Sequence, residues 1–358
     1  MSATINGVEI NQKKNGTYIV LEAGPTHYGL ESAKALVTMA KEAGANAVKF
    51  QYLYADRLVA DKSVMFSYKA LERDASGHER LIEVEEPLHT ILARRELQTH
   101  EWKELKKYCD EIDITMFSTA TFPDEVDFLV DELGIDSIKI ASSDVAELDF
   151  IRYCASKGVN IQLDTGSADL WEIERAVIAA EEEGCDNIII HLCPSGYPAH
   201  LESIHLNMLK TLKTLFPDCG IAFSDHSLGW DMDIAAVALG ADMVEKTITL
   251  DRTTRSCEHS FSLEKKQALK FVNSIRDVEI ALGDHRRVFP KDVRSKRMKT
   301  RRSAYAKVDL PVGIALSRAH FEFRRPGYGI TSQEFIFVEG RVLKKELKKD
   351  SVLTKEHC

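Results

Sequence analysis

The strongest constraint on this chain is an eightfold alternation of strand and helix. Short apolar or β-branched runs recur at residues 18–21, 47–50, 114–117, 137–140, 160–163, 187–191, 220–223 and 243–248. Between them lie segments whose apolar residues return every three or four positions, among them 30–43, 101–110, 122–133, 170–183, 204–215 and 231–239. Gly44, Gly134, Gly158, Gly184 and Gly240 stand just before a strand begins, where a helix-ending glycine belongs. Strands separated by helices pair in parallel. Eight such units in about 250 residues is the arithmetic of a (β/α)8, or TIM, barrel. An open doubly wound sheet is the alternative. The chain has no G-x-G-x-x-G after its first strand and no G-x-x-x-x-G-K-[ST], so the usual dinucleotide and nucleoside-triphosphate fingerprints are missing.

The alternation ends near residue 285, and the charge changes sign with it. Residues 286–358 carry 19 Lys and Arg against 8 Asp and Glu, a net of +11, while residues 1–285 carry 28 against 48, a net of −20. The whole-chain value of −9 hides this contrast. Residues 286–302 hold nine basic residues and one acidic residue. Their pattern fits neither strand nor helix, so a basic linker is expected there. Residues 303–358 echo themselves: 307–320 reads KVDLPVGIALSRAH and 345–357 reads KELKKDSVLTKEH, a match with one residue of slip. Two related arms predict a small, loop-rich β unit with a pseudo-twofold axis.

The composition, 44% hydrophobic and 29% charged over 358 residues, is that of a globular chain rather than a disordered or fibrous one. No apolar run approaches the ~20 residues that span a bilayer. The first residues lack the apolar core of a secretory signal. Seven scattered cysteines without C-x-x-C spacing fit reduced thiols in a cytoplasmic protein.

In a (β/α)8 barrel, reactive groups gather where the strands end. Here all eight ends are polar. The first leads to Glu22 and His27, the second to Lys49 and Gln51, the third to Ser118 and Thr119, and the fourth to Lys139, Ser142, Ser143 and Asp144. The fifth gives Asp164 and Thr165, the sixth leads into Tyr197, the seventh gives Ser224, Asp225 and His226, and the eighth gives Glu245, Lys246 and Thr247. Lysines with hydroxyls suit an anion that also carries hydroxyls, such as a phosphate or a sugar. Carboxylates hold sugar hydroxyls or move protons. His226 stands where a metal ligand could polarise a carbonyl; a core or supporting histidine is an equal reading of the residues.

These motifs resemble a known family. Residues 22–27 (EAGPTH) and 43–51 (AGANAVKFQ) are similar to the opening of the N-acetylneuraminate (sialic acid) synthases. Residues 137–144 (SIKIASSD), Ser224-Asp-His226, Glu245-Lys246 with TLDR at 249–252, and HSFSL at 259–263 resemble that family's later motifs. The tail, with Arg-Pro-Gly-x-Gly at 325–329, resembles the antifreeze-like (SAF) domain that follows the barrel. The resemblance implies a TIM-barrel synthase domain over 1–285 and a small β-rich SAF domain over 303–358. It implies condensation of phosphoenolpyruvate with an N-acyl hexosamine such as N-acetylmannosamine, giving a nonulosonic 2-keto acid and phosphate. A divalent metal, manganese or magnesium, and a domain-swapped homodimer come with it. The implied phosphoenolpyruvate residues are Lys49, Lys139, Ser142 and Ser224, with Thr119 in the same pocket. Glu22 and Asp144 match the acidic groups near the reacting carbons, Gln51 and Tyr197 the sugar side, and His226 a metal-binding histidine. Arg325 matches an arginine contributed across the dimer, where a basic tail would dock on an acidic barrel.

Some positions depart from the family pattern. Thr247 stands where the second metal histidine is expected, Asp144 where Glu is usual, and Asp164-Thr165-Gly166 where Ser-Thr-Gly is usual. The third strand reads STATF, and the loop expected as PGPD is Arg255-Ser-Cys-Glu258. A carboxylate beside a phosphate repels unless it is paired, so Asp164 is expected to meet Arg255 or Lys246. These departures point to a divergent subgroup with another acceptor, donor or metal arrangement; an inactive binding homologue is the alternative, against which the retained lysines, Glu22, Gln51, Ser224 and Arg325 argue. Two other readings stand beside the synthase. One is a Schiff-base aldolase on Lys139, Lys49 or Lys246. The other is nucleic-acid or acidic-partner binding by residues 286–302, against which the acidic body and the lack of interleaved aromatics argue.

Overall fold

The eight runs become the strands of a closed parallel barrel: β1 Tyr18–Glu22, β2 Ala47–Gln51, β3 Thr115–Thr119, β4 Ser137–Ile140, β5 Asn160–Asp164, β6 Ile188–Leu192, β7 Gly220–Asp225 and β8 Met243–Thr247. Each pairs with its chain neighbours, and β8 pairs with β1, setting Thr247 beside Glu22. That last ladder separates the barrel from the open sheet. The computed structural model describes residues 3–284 and 286–358. It divides into two units, Met1–Gly283 and Asp284–Cys358.

Side chains of one parity on each strand, such as Ile19, Leu21, Val48, Phe50, Ile138 and Leu163, lie buried beneath the surrounding helices. Each such residue contributes about 1.5–3 kcal/mol of burial. The helix Leu30–Ala43 turns Ala33, Leu36, Val37 and Ala40 inward. It stops at Gly44, whose φ of +84° lets its N–H return to the Ala40 carbonyl. At the end where strands begin, a short hairpin of Thr4–Ile5 and Val8–Glu9 ties into the barrel. Thr4 N donates to Asn187 Oδ1 at 2.7 Å, and Gln12 N donates to Asp242 Oδ1 at 3.2 Å.

Three local features differ from expectation. The helix expected over 122–133 is α only at Pro123–Asp127 and continues as a π-turn, Phe128–Glu132. The helix expected from 204 begins at Met208. A long antiparallel hairpin, Met65–Arg73 with Glu79–Pro87, rises between β2 and β3. Its many charged residues mask a buried face: Tyr68, Ala70 and Val84 are buried with Ile91 and Cys257 in a separate small core.

The second unit has a short antiparallel ladder, Ser303–Ala306 with Phe321–Arg324, around a core that includes Leu310, Leu316, Phe335, Leu343, Leu347 and Leu353. Its two arms are related by an offset of 37 residues, and the slip disappears once Lys344 is matched to Lys307. Lys307 N donates to the His320 carbonyl as Lys344 N donates to that of His357, both at 2.9 Å. Leu316 N to Arg341 O mirrors Leu353 N to Ala304 O, each 2.8 Å. The basic segment expected to be irregular is helical at Lys291–Thr300 and buries no residue. Lys, Arg and Met are good helix formers, but a helix without a buried face shows no apolar period to read. No helix among the described residues is long and apolar enough to cross a membrane.

Candidate active site

The inward parity of the strands is polar through much of the barrel. Near the strand starts, Ser137 Oγ donates to Asn160 Oδ1 at 2.7 Å and receives Gln162 Nε2 at 2.8 Å. One layer up, the buried His191 ring bridges Gln162 Oε1 at 2.8 Å and Ser224 Oγ at 2.9 Å. Burial, reinforced by the Lys139 charge, draws this imidazole down to about 3. The next layer holds the charges. Lys139 Nζ donates to Ser224 Oγ at 2.9 Å and Glu245 Oε1 at 2.8 Å, and faces Asp164 Oδ2 at 3.2 Å. Lys49 Nζ pairs with Glu22 Oε2 and lies 3.1 Å from Glu245 Oε1.

The two lysines are equally buried but electrostatically different. Burial opposes the Lys139 charge, yet Asp164 and Glu245 outweigh it and hold the group above the ordinary lysine range. At Lys49 burial dominates and draws the group down, although Glu245 pulls the other way. Burial also works against the Glu245 carboxylate, but Lys139 and Lys49 hold it well below the usual range. Oδ1 of Asp164 and Oε2 of Glu245 are buried without a hydrogen-bond partner.

Above this layer opens a cavity of about 430 Å³. Glu22, Lys49, Gln51, Thr119, Ser142, Asp144, Tyr197 and His226 all line it, together with Asp164 and Glu245. Lys139 and Ser224 form its buried base. Six of the eight strands therefore bring ten of the expected site residues to one place, and β5 and β8 add Asp164 and Glu245. Burial raises the Asp144 carboxyl above its ordinary range. The His226 ring lies 4.8 Å from Tyr197 and 5.8 Å from Phe261, centroid to centroid. Arg325 belongs to the second unit and is exposed there. Its loop is shaped by close approaches: a Cβ on Gly327 would lie 2.7 Å from that of Arg301, and one on Gly329 would run into the Leu353 carbonyl.

Several strand-end residues do not join the cavity. Lys246 and Asp225 have the outward parity and pair with each other in full burial, Lys246 also donating to the Ser227 carbonyl at 2.6 Å. Asp164 therefore meets Lys139, not Arg255 or Lys246. His27 is buried edge-on to Phe50 at 5.8 Å, with neither ring nitrogen hydrogen-bonded. Ser118 and Thr165 bond the neighbouring backbone.

The donor set does not fit the divalent metal that the resemblance implies. His226 Nδ1 contacts the Pro194 carbonyl at 3.3 Å and Cys193 Sγ at 4.0 Å. The carboxylates nearby face lysine ammonium groups. Among the described residues no three His, Cys, Asp or Glu side chains are grouped to hold an ion.

Reading strand ends alone misses Gln162 and His191, although polar residues at every second position of β5 mark an inward face. It also misses Arg95, which lines the cavity from a loop that no local pattern announces; Glu258, which ends the 255–258 loop, lines it too.

Barrel, polar mouth and β-rich second unit together define a class, a (β/α)8-barrel enzyme with a C-terminal SAF domain, and residues 301–357 match the SAF domain itself. More particularly, the chain belongs to the NeuB family, which it matches over residues 36–287. It is 31% identical to the N,N′-diacetyllegionaminic acid synthase of Legionella pneumophila, over 99% of this chain and 98% of that one. It is 32% identical to the N-acetylneuraminate-9-phosphate synthase of Homo sapiens, over 84% and 80%. In structure it is similar to an N-acetylneuraminic acid (sialic acid) synthetase from Leptospira borgpetersenii, solved with citrate, with a TM-score of 0.69, 26% identity and coverage of 83% and 95%. The named relatives are synthases, and the chain is a transferase-type enzyme of their family.

Proposed function

We propose that the barrel mouth joins phosphoenolpyruvate to an N-acyl hexosamine of the N-acetylmannosamine kind, giving a nonulosonic 2-keto acid and inorganic phosphate. The observation that carries this reading is the pair of buried lysines, Lys49 and Lys139, under a cavity rimmed with hydroxyl, amide and carboxyl groups. Buried ammonium groups are costly unless paired. Two of them suit a ligand with a carboxylate and a phosphate. In the free protein Glu22, Asp164 and Glu245 serve as counter-ions. Ser224, Ser142 and Thr119 would orient the ligand's oxygens, and Gln51, Tyr197 and His226 would face the sugar.

The reaction balances without a redox partner. C3 of phosphoenolpyruvate attacks the aldehyde carbon of the open-chain sugar, forming the new C–C bond. The aldehyde oxygen takes a proton, for which Asp144, raised by burial, is the nearby acid. Water adds to the cationic C2 and gives its proton to Glu22. The tetrahedral intermediate then expels phosphate by C–O cleavage, and the C2 hydroxyl gives its proton to the departing phosphate, leaving the ketone. Holding two substrates in one closed site supplies much of the rate. Arg325 of the partner subunit completes the sugar side in this reading, in a cytoplasmic homodimer.

The test is incubation with phosphoenolpyruvate, a panel of N-acyl hexosamines, and manganese or magnesium. Phosphate and a 2-keto acid should appear in equal amounts; no release with any sugar rejects the proposal. Borohydride with pyruvate should trap no adduct, since a Schiff base on Lys139, Lys49 or Lys246 would mark an aldolase.

A further inference from the structure

Arg94 and Arg95 are adjacent in sequence and opposite in circumstance. Arg94 is half exposed and holds Glu86 with both ends of its fork, at 2.6 and 2.8 Å. The Arg95 side chain is only 5% exposed, and among the described residues no carboxylate lies within hydrogen-bond distance of it. Nη1 reaches Gln51 Oε1 at 3.3 Å and lies 3.8 Å from Glu258 Oε1. Nε is buried without a partner. A guanidinium has five N–H donors in a planar fork, so most of this one's capacity is unspent.

Arg95, Gln51 and Glu258 all line the cavity. Glu258 is held there with φ at +78°, a left-handed conformation that non-glycine residues rarely adopt. Its carbonyl is pinned by Ser262 Oγ at 2.6 Å. Nearby His27 and His259 are both drawn down to about 4, first by burial and then by the Arg95 charge. Around the guanidinium lie two neutral rings, the Cys257 thiol, which burial holds above its ordinary range, and one distant carboxylate. A planar, buried, under-bonded fork facing a ligand cavity is the arrangement that recognises a carboxylate or phosphate in two-point fashion.

We infer that Arg95 reads an oxyanion on the acceptor sugar, so that the acceptor carries a carboxylate or phosphate in addition to its N-acyl group. This rests on the synthase reading above. Before the acceptor arrives, Glu258 offsets the guanidinium charge at a distance; the acceptor's oxyanion then takes the unfilled donors.

The test compares the wild-type chain, Arg95→Gln and Arg95→Lys on three acceptors: N-acetylmannosamine, its 6-phosphate and its 6-carboxylate. One anionic acceptor should exceed the neutral sugar at least 100-fold in kcat/KM, and which one identifies the oxyanion. Arg95→Gln should lose at least tenfold more on that acceptor than on the neutral one, chiefly through KM. Arg95→Lys should fall between, because it keeps the charge and loses the fork. Equal losses on all three, or wild-type preference for the neutral sugar, overturn the inference. Thermal melting and calorimetric titration with phosphoenolpyruvate establish that the variants are folded. If no acceptor is turned over, calorimetric binding of the same three sugars decides. Tighter anionic binding that Arg95→Gln abolishes sustains the role of Arg95 while the synthase reading falls; equal or absent binding overturns both.

Discussion

Lys139 and Lys49 stand in the same layer, and their surroundings set them apart. Lys139 stays charged because Asp164 and Glu245 flank it, whereas burial lowers Lys49. An ammonium with a lowered value loses its charge as pH rises through that value, so phosphoenolpyruvate affinity should decline below the ordinary lysine range. Calorimetric titration across pH 7–10.5 should show that decline with proton uptake on binding, and Lys49→Met should remove the pH-dependent part. Lys139→Met should lower kcat/KM by about 10²–10³, the usual effect of deleting a charged donor in a closed site; phosphate release measures it. His191, at about 3, bears on stability. Its folded value lies below its unfolded one, so its contribution is full above about pH 6.5 and is lost as pH falls. The slope is about 1.4 kcal/mol per pH unit for each such histidine, and His27 and His259 add to it. Denaturant titrations between pH 7 and 4.5 should show a shallower slope for His191→Gln. At this scale the lysines were legible as polar residues interrupting apolar strands. The Asp164–Lys139 pairing was not, because it depends on which neighbouring strand lies alongside.

Whole elements were read with uneven success, for physical reasons. The barrel strands stood out because both their faces are buried and their sequences are correspondingly apolar or internally polar. The Met65–Arg73 and Glu79–Pro87 hairpin was hidden by its charge. The helix Lys291–Thr300 was hidden by the absence of any buried face. The repeat in the second unit was visible, but its true offset needed the paired hydrogen bonds. That symmetry carries a prediction. Gly313 and Asp350 occupy equivalent turns with φ of +91° and +63°. Gly313→Ala should cost about 1 kcal/mol and lower the melting point of the C-terminal unit by about 4–8 °C. Asp350→Gly should shift it less, because aspartate already tolerates the left-handed turn. Calorimetric melting of the full chain distinguishes the two.

At the scale of the molecule, the contrast between a −20 body and a +11 tail acquires a test. If the tail domain of one copy serves the barrel of another, Lys139→Met and Arg325→Ala chains should each be nearly inactive alone. Mixed after dissociation and reassembly, they should regain activity, because a hybrid dimer contains one site with both residues intact. Failure to recover activity would place Arg325 in the site of its own chain or outside any site. Raising the salt concentration should slow reassembly, since exposed charges of opposite sign are screened within ~10 Å at 0.1 M.

The sequence alone determined the strand–helix period, the change of charge and pattern near residue 285, the polar strand ends and the family. Each of these rests on spacing along the chain or on motifs within one short stretch. The β8–β1 ladder decided that the strands close into a barrel. Tertiary structure decided which polar groups meet. Strand parity sent Lys246 and Asp225 outward and Glu245 inward. Barrel closure set Asp164 against Lys139. Loops that lie far apart in the chain brought Arg95 and Glu258 beside Gln51 at the end of β2. Charges interact through space with a strength set by distance and burial, and neither quantity is written in the order of residues.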